Sequence, residues 1–186
     1  MNYANFWQRF CANLLDVLVV LPFAWLQSWL GTYSKLIAMI LVIPLVAAYS
    51  AYIIYCHGRF GRTLGKYVMR IRVQDVFGGQ ISWRQAWLRS SVDVGFSTIS
   101  VISSLIALIA ISDANYYGVT HLQRAQNLQA LEPSWLAWTS VAAQLWFWSE
   151  VVVMLFNRQR RALHDFIAGT VVIAEPKGAP VQAQNA

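Results

Sequence analysis

The chain has 186 residues, of which 58% are hydrophobic and 12% charged, against roughly 25% charged in a soluble domain. Too few polar side chains remain to cover an ordinary globule, so the composition excludes one and places the chain in a bilayer. The formal charge of +6 reads as basic loops on one membrane face rather than as a nucleic-acid surface.

Crossing a hydrocarbon core of about 30 Å takes about 20 apolar residues in a helix. Four segments meet that length, at about 10–30, 36–56, 92–112 and 134–156, and the fold class is an all-α integral membrane protein. No basic stretch precedes the first segment and no small-x-small site follows it, so it is expected to stay as a membrane helix rather than be cleaved as a signal. Pro22 and Pro44 should kink the first two spans without ending them, since neighbouring helices can satisfy the freed carbonyls.

In the loop after the second span, Gly61-Arg62-Thr63-Leu64-Gly65-Lys66 superficially resembles a phosphate loop, but Phe60 and Tyr67 stand where that motif needs Gly and Ser or Thr. Arg62, Lys66 and Arg70 recur every four residues, which suits a short helix lying on an anionic leaflet. The same charges would also serve simply to fix topology. Residues 70–75 alternate as a strand does, and Phe77-Gly78-Gly79 is a turn signal. Ser82-Trp83-Arg84-Gln85 fits a capping box, so a helix is expected from Trp83, running on into the third span. Between the last two spans a short helix is expected over 121–131. In the tail, residues 170–174 are β-branched and, because a lone strand is unstable, are expected to pair with 70–75. Residues 1–175 thus form one transmembrane domain, and the polar 176–186 are expected to be disordered.

All but Lys35 and Arg124 of the 14 basic residues fall in the termini and in the loop spanning 57–91. By the positive-inside rule these parts face the cytoplasm, with both termini inside. Cys11 and Cys56 are too few for a disulfide framework and read as reduced, buried thiols. His57, His121 and His164 lack metal-ligand spacing, so neither metal nor cofactor is expected.

Ionisable groups inside spans cost about 2.5 to 3.5 kcal/mol each on insertion scales, so each implies a partner or a wet cavity. Arg9, Asn13 and Asp16 share one face of the first helix, and Glu150 lies within the fourth. Asp93 heads a stripe with Ser97, Ser100 and Ser104 on the third. Two readings stand for each. Arg9 and Asp16 form a structural ion pair or a proton relay, and Glu150 pairs with a loop arginine or acts as a second acid. Asp93 favours structure, being near water. His164-Asp165 has no nucleophile at useful spacing, so the chain is not expected to be an enzyme. Asp165 is expected to accept hydrogen bonds from backbone or from a loop arginine.

Taken together, Phe6-Trp7-Gln8-Arg9-Phe10 with Asp16, then Gly61 to Lys66, then Ile71-Arg72-Val73-Gln74-Asp75 with Gly78-Gly79, and finally Arg161-Ala162-Leu163-His164-Asp165-Phe166-Ile167-Ala168-Gly169-Thr170 resemble the RDD family of membrane proteins. Each motif is short; their order and spacing make the likeness, which covers about residues 3–174. The family is named for one arginine and two aspartates. The matching positions are Arg9, Asp16 and, from the His-Asp-x-x-Ala-Gly-Thr context, Asp165, with Asp93 the other acid near a span end. Glu150 lies outside the signature, and the outer loop is longer and more aromatic than a minimal member needs. The resemblance implies a bacterial inner-membrane protein of undefined activity, with transport of a small ligand or cation/proton exchange as the function to expect.

Two functions follow. One is a transporter subunit whose ligand or ion pathway uses Arg9, Asn13, Asp16, Glu150 and Asp165; four helices are few for a complete pathway, so a homo-oligomer or a partner membrane protein is implied. The other is a non-transporting scaffold or assembly module. Its Arg62, Lys66 and Arg70 would bind anionic lipid headgroups or a partner protein.

Overall fold

A computed structural model describes residues 2–175; the tail expected to be disordered lies outside them. In chain order the elements are α1 (Phe6–Gly31), α2 (Lys35–Phe60), α3 (Leu64–Val68), β1 (Ile71–Asp75), α4 (Trp83–Ala110), α5 (Asp113–Tyr116), α6 (His121–Ala130), α7 (Trp135–Phe156), α8 (Leu163–Ala168) and β2 (Thr170–Ala174). Four of them, α1, α2, α4 and α7, are long and apolar enough to cross a membrane. Their large apolar side chains, among them Leu14, Leu18, Ile40, Ile109, Trp138 and Leu145, point outward and stay exposed, as a lipid solvent requires.

Local chemistry sets the helix ends. Asn5 caps α1 by accepting from the Gln8 amide at 2.8 Å, and the Gln8 side chain accepts from the Asn5 amide at 3.0 Å. Ser82 and Gln85 make the same reciprocal box at the start of α4, so that helix begins nine residues before the expected third span and ends at Ala110. Gly61 closes α2 in the left-handed region at φ +69°, where a side chain would be strained. Pro22 and Pro44 sit within α1 and α2 without ending them. Cys11 and Cys56 are free and half-buried rather than fully buried.

Both extramembrane strands exist and pair antiparallel, with Ile71 opposite Ala174, Val73 opposite Val172 and Asp75 opposite Thr170. The strand starts at Ile71 rather than 70 because Arg70 turns the chain at φ +53°. The Asp75 carboxylate accepts from the amides of Phe77 and Gly79, both at 2.8 Å, and holds the turn after β1. Residues before α1 join this layer: the Ala4 amide donates to the Val172 carbonyl at 2.9 Å. Ile71, Val73 and Val172 pack with Ala4, Ala12, Ile54, Ile81 and Ala86 into one buried cluster, which welds the sheet to the ends of α1, α2 and α4. At the far end, α5 is tied down by the Tyr116 hydroxyl donating to the Gly31 carbonyl at 2.7 Å, and α6 by Arg124 Nε donating to the Tyr116 carbonyl at 2.9 Å.

The short helix α3 lies directly on α1. Gly65 permits it: a Cβ there would stand 2.0 Å from the Ala12 carbonyl oxygen. Gly65→Ala must therefore push α3 off α1 and is expected to cost about 1 to 3 kcal/mol, the usual range for overpacking. Gly95→Ala is the control, because a Cβ at Gly95 meets nothing within 4 Å; reduced unfolded-state entropy should stabilise it by roughly 0.4 to 1 kcal/mol. Thermal unfolding of both variants in detergent checks the opposite signs.

Candidate functional site

Asp165 sits in the first turn of α8 with no exposed surface. Its Oδ2 accepts from the Ala162 amide at 3.0 Å, a local bond that orients the carboxylate within its own turn. Arg9 of α1 donates from Nη1 to the same oxygen at 2.6 Å and from Nη2 to the Arg160 carbonyl at 2.5 Å. Arg89 of α4 donates to Asp165 Oδ1 and, at 3.0 Å, to Thr170 Oγ1. Burial alone would raise the Asp165 pKa, but Arg89, His164 and Arg9 overcome it and hold the carboxyl well below the usual range. The expected bonds from backbone and a loop arginine are both present; the bond from Arg9 was not foreseen.

Asp16 does not pair with Arg9, contrary to one sequence expectation. Its two oxygens accept from the Tyr52 hydroxyl at 3.1 Å, the Thr63 hydroxyl at 2.5 Å and the Gly65 amide at 2.9 Å. The reason is the Gly65 contact: it brings the start of α3 within reach of Asp16, whereas Arg9 is drawn to the Asp165 end. Asp16 is thus the fastener of α3. Asn13, one turn before it, is exposed to the cavity described next.

Between α1, α2, α4 and α7, above α3 and α8, lies a cavity of about 370 Å³. Arg9, Asn13, Asp16 and Glu150 all line it, as do His57, Lys66, Arg89, Asp93 and His164. Asp165 stands behind the two arginines rather than in the wall. Glu150 hydrogen-bonds His164 Nδ1 instead of a loop arginine, since α8 packs against α7 and carries the imidazole to it. The His164 Nε2 atom also lies 3.6 Å from Asp165 Oδ1, so these sequence neighbours do approach each other. Among the described residues, no three His, Cys, Asp or Glu side chains are grouped to hold a metal ion.

The basic stripe of the loop separates. Lys66 is only 6% exposed and faces the cavity, while Arg62 pairs with Glu175 at 2.8 Å and lies over the Tyr67 ring. Arg70 is exposed beyond the helix. Lys66 therefore cannot rest on a leaflet beside the other two; the helix is five residues long and its inner side is the one set by Gly65. Burial, with Arg89 adding repulsion, brings the Lys66 pKa down to about 8. Sequence reasoning assigned no site role to His57 or Arg89. A histidine in the last turn of an otherwise apolar span was the available signal for the first; nothing in the sequence marked the second, whose partner lies 76 residues away.

A family model described as the RDD family matches residues 3–169, and the chain belongs to that family. No curated protein and no solved structure matches it.

Removing the Asp165 charge leaves two buried guanidinium groups without a counter-ion, so Asp165→Asn is expected to cost about 3 to 5 kcal/mol. The pH dependence has a fixed sign. The folded pKa lies below the unfolded value of about 3.9, so the stabilisation is complete above that value and is lost as pH falls through the folded pKa. Unfolding temperatures measured from neutral to acid pH should show the gap between wild type and Asp165→Asn narrowing only on acidification.

Proposed function

We propose that this RDD-family chain is a transport subunit of the bacterial inner membrane, in which the cavity binds a small solute and exchanges protons with it. The observation that carries this reading is the cavity itself: acids and bases from four candidate spans face one space of about 370 Å³, where buried charge is otherwise avoided. The acids divide by what already holds them. Asp16 and Asp165 are each occupied by several donors, so the proton-carrying role passes to Glu150 with His164, and to Asp93 across the same cavity.

In this mechanism Glu150 and His164 share one proton between carboxylate and imidazole, and Asp93 offers the second acceptor. The cavity lies at the basic end of the bundle, which the positive-inside rule assigns to the cytoplasm. Four spans are few for a complete pathway, so a homo-oligomer would complete it. The scaffold reading keeps one observation in its favour: Arg59, Arg70 and Arg84 remain exposed around the same end, and Phe77 at the turn is 91% exposed. That rim suits anionic headgroups whether or not the chain transports.

Proteoliposomes containing the full chain and a trapped pH-sensitive dye test the proposal. Glu150→Gln should reduce solute-driven proton movement to the level of empty vesicles while thermal unfolding stays close to wild type. Equal flux from both proteins would sink the transport reading.

A further inference from the structure

The cations around the cavity are not held alike. Arg9 and Arg89 are matched to Asp165. Asp16 is satisfied by two hydroxyls and an amide. Lys66 is left over. It is 6% exposed, and among the described residues its ammonium has neither hydrogen bond nor ion pair; only its backbone amide is bonded, to Thr63. Of the three cations Arg9, Arg89 and Lys66, Lys66 is therefore the one that no carboxylate pairs at ion-pair distance among the described residues, and a buried ammonium without a direct partner is costly.

A second, independent observation lies beside it. His57, in the last turn of α2, is 3% exposed and lines the same cavity. Neither of its ring nitrogens has a partner among the described residues, and whichever tautomer is present leaves one N–H without an acceptor. The Arg9 Nε–H is likewise unpartnered. His57 and Arg9 both line the cavity, and buried polar groups are nearly always hydrogen-bonded, so their unpartnered N–H groups call for an acceptor that can reach them.

From this we infer that the floor formed by Lys66, His57 and Arg9 binds a small oxyanion, a carboxylate or a phosphate. Carboxylate and phosphate oxygens supply acceptors and negative charge together, which is what this set lacks. A volume of about 370 Å³ falls within the range of small-molecule sites, roughly 300–1,000 Å³. The inference rests on the cavity as a solute site and names the class of solute. The anion shares the space with Glu150 and Asp93, whose charges repel it unless a proton is taken up, so anion entry and proton uptake are linked.

The test uses the full chain in detergent, titrated calorimetrically with succinate and with inorganic phosphate. Nanodiscs of phosphatidylglycerol or phosphatidylcholine, compared by thermal unfolding, ask whether a lipid headgroup is the source. Wild type should bind at least one probe, and Lys66→Met should bind it about tenfold more weakly or worse, the loss of one charge-assisted hydrogen bond. Lys66→Met should also unfold at a higher temperature than wild type when no anion is present, because an unpaired buried charge is gone. A response to phosphatidylglycerol alone, abolished by the substitution, assigns the oxyanion to a headgroup. No binding of any probe, or equal binding by both proteins, overturns the inference.

Should Lys66→Met not fold, the wild-type pH profile decides. The ammonium is faced by Arg9 and Asp16 from α1, His57 from α2, Arg89 from α4 and Asp165 from α8. It loses its proton near about 8, so succinate affinity should fall about tenfold or more between about pH 7 and about pH 9.5. A flat profile overturns the inference. Proton flux without oxyanion binding would leave transport standing and remove this site; oxyanion binding without flux would do the reverse.

Discussion

A carboxylate with no exposed surface, Asp165, is the interaction on which the rest of the structure depends. A buried ion in this setting survives only with partners of opposite charge and a full set of hydrogen bonds. Asp165 has both, in Arg9 from 156 residues before it and Arg89 from 76 before it. The dependence is mutual, since two arginines inside candidate membrane spans are tolerable only because α8 brings a carboxylate to them. The register of the sheet follows from the same knot. Gly169 turns the chain at φ +64°, and Thr170, bonded to Arg89 and Asp165, begins β2 opposite Asp75.

Asp16 repeats this logic with neutral donors. Two hydroxyls and an amide reach it from α2 and from the start of α3, so the extramembrane layer is pinned to α1 at a second point. Two fasteners of opposite design result, one ionic and one built of uncharged donors. Between them they surround Asp16 and Asp165 with donors, so any chemistry in the cavity falls to the other ionisable groups that line it. His164, Glu150 and Asp93 are those groups on the acid side, and Lys66 and His57 on the basic side.

Sequence periodicity and composition carried the fold a long way, because hydropathy over 20 residues, capping boxes and β-branched runs are local signals. The four spans, the 121–131 helix, the capped start at Trp83 and the pairing of the two strands were all legible. What was not legible is partner choice. Arg9 and Asp16 share a helix face, and proximity in sequence suggested a pair; the structure satisfies each elsewhere because α8 and α3 arrive from distant segments. Lys66 was misread for a related reason. Its spacing with Arg62 and Arg70 fits one helix face, but the helix spans only Leu64–Val68, and Gly65 turns its inner side toward α1. A four-residue period means a shared face only where a helix is long enough to have one.

The distribution of fasteners also singles out one helix. The ends of α1, α2 and α4 are welded by the sheet cluster and by the Asp16 and Asp165 knots. By contrast, α7 packs lightly against α1, α4 and α8, and Met154 is its one buried side chain. Its polar tie to the extramembrane layer is the Glu150 bond to His164. Unlike the Asp165 knot, which gathers two permanently charged arginines, this tie depends on where a proton resides. On the transport reading, the group that would carry the proton and the bond that holds the least anchored wall of the cavity are therefore the same. On that reading, a change in where the shared proton sits would alter the hold on α7, and proton movement and the position of this wall would be coupled through one bond.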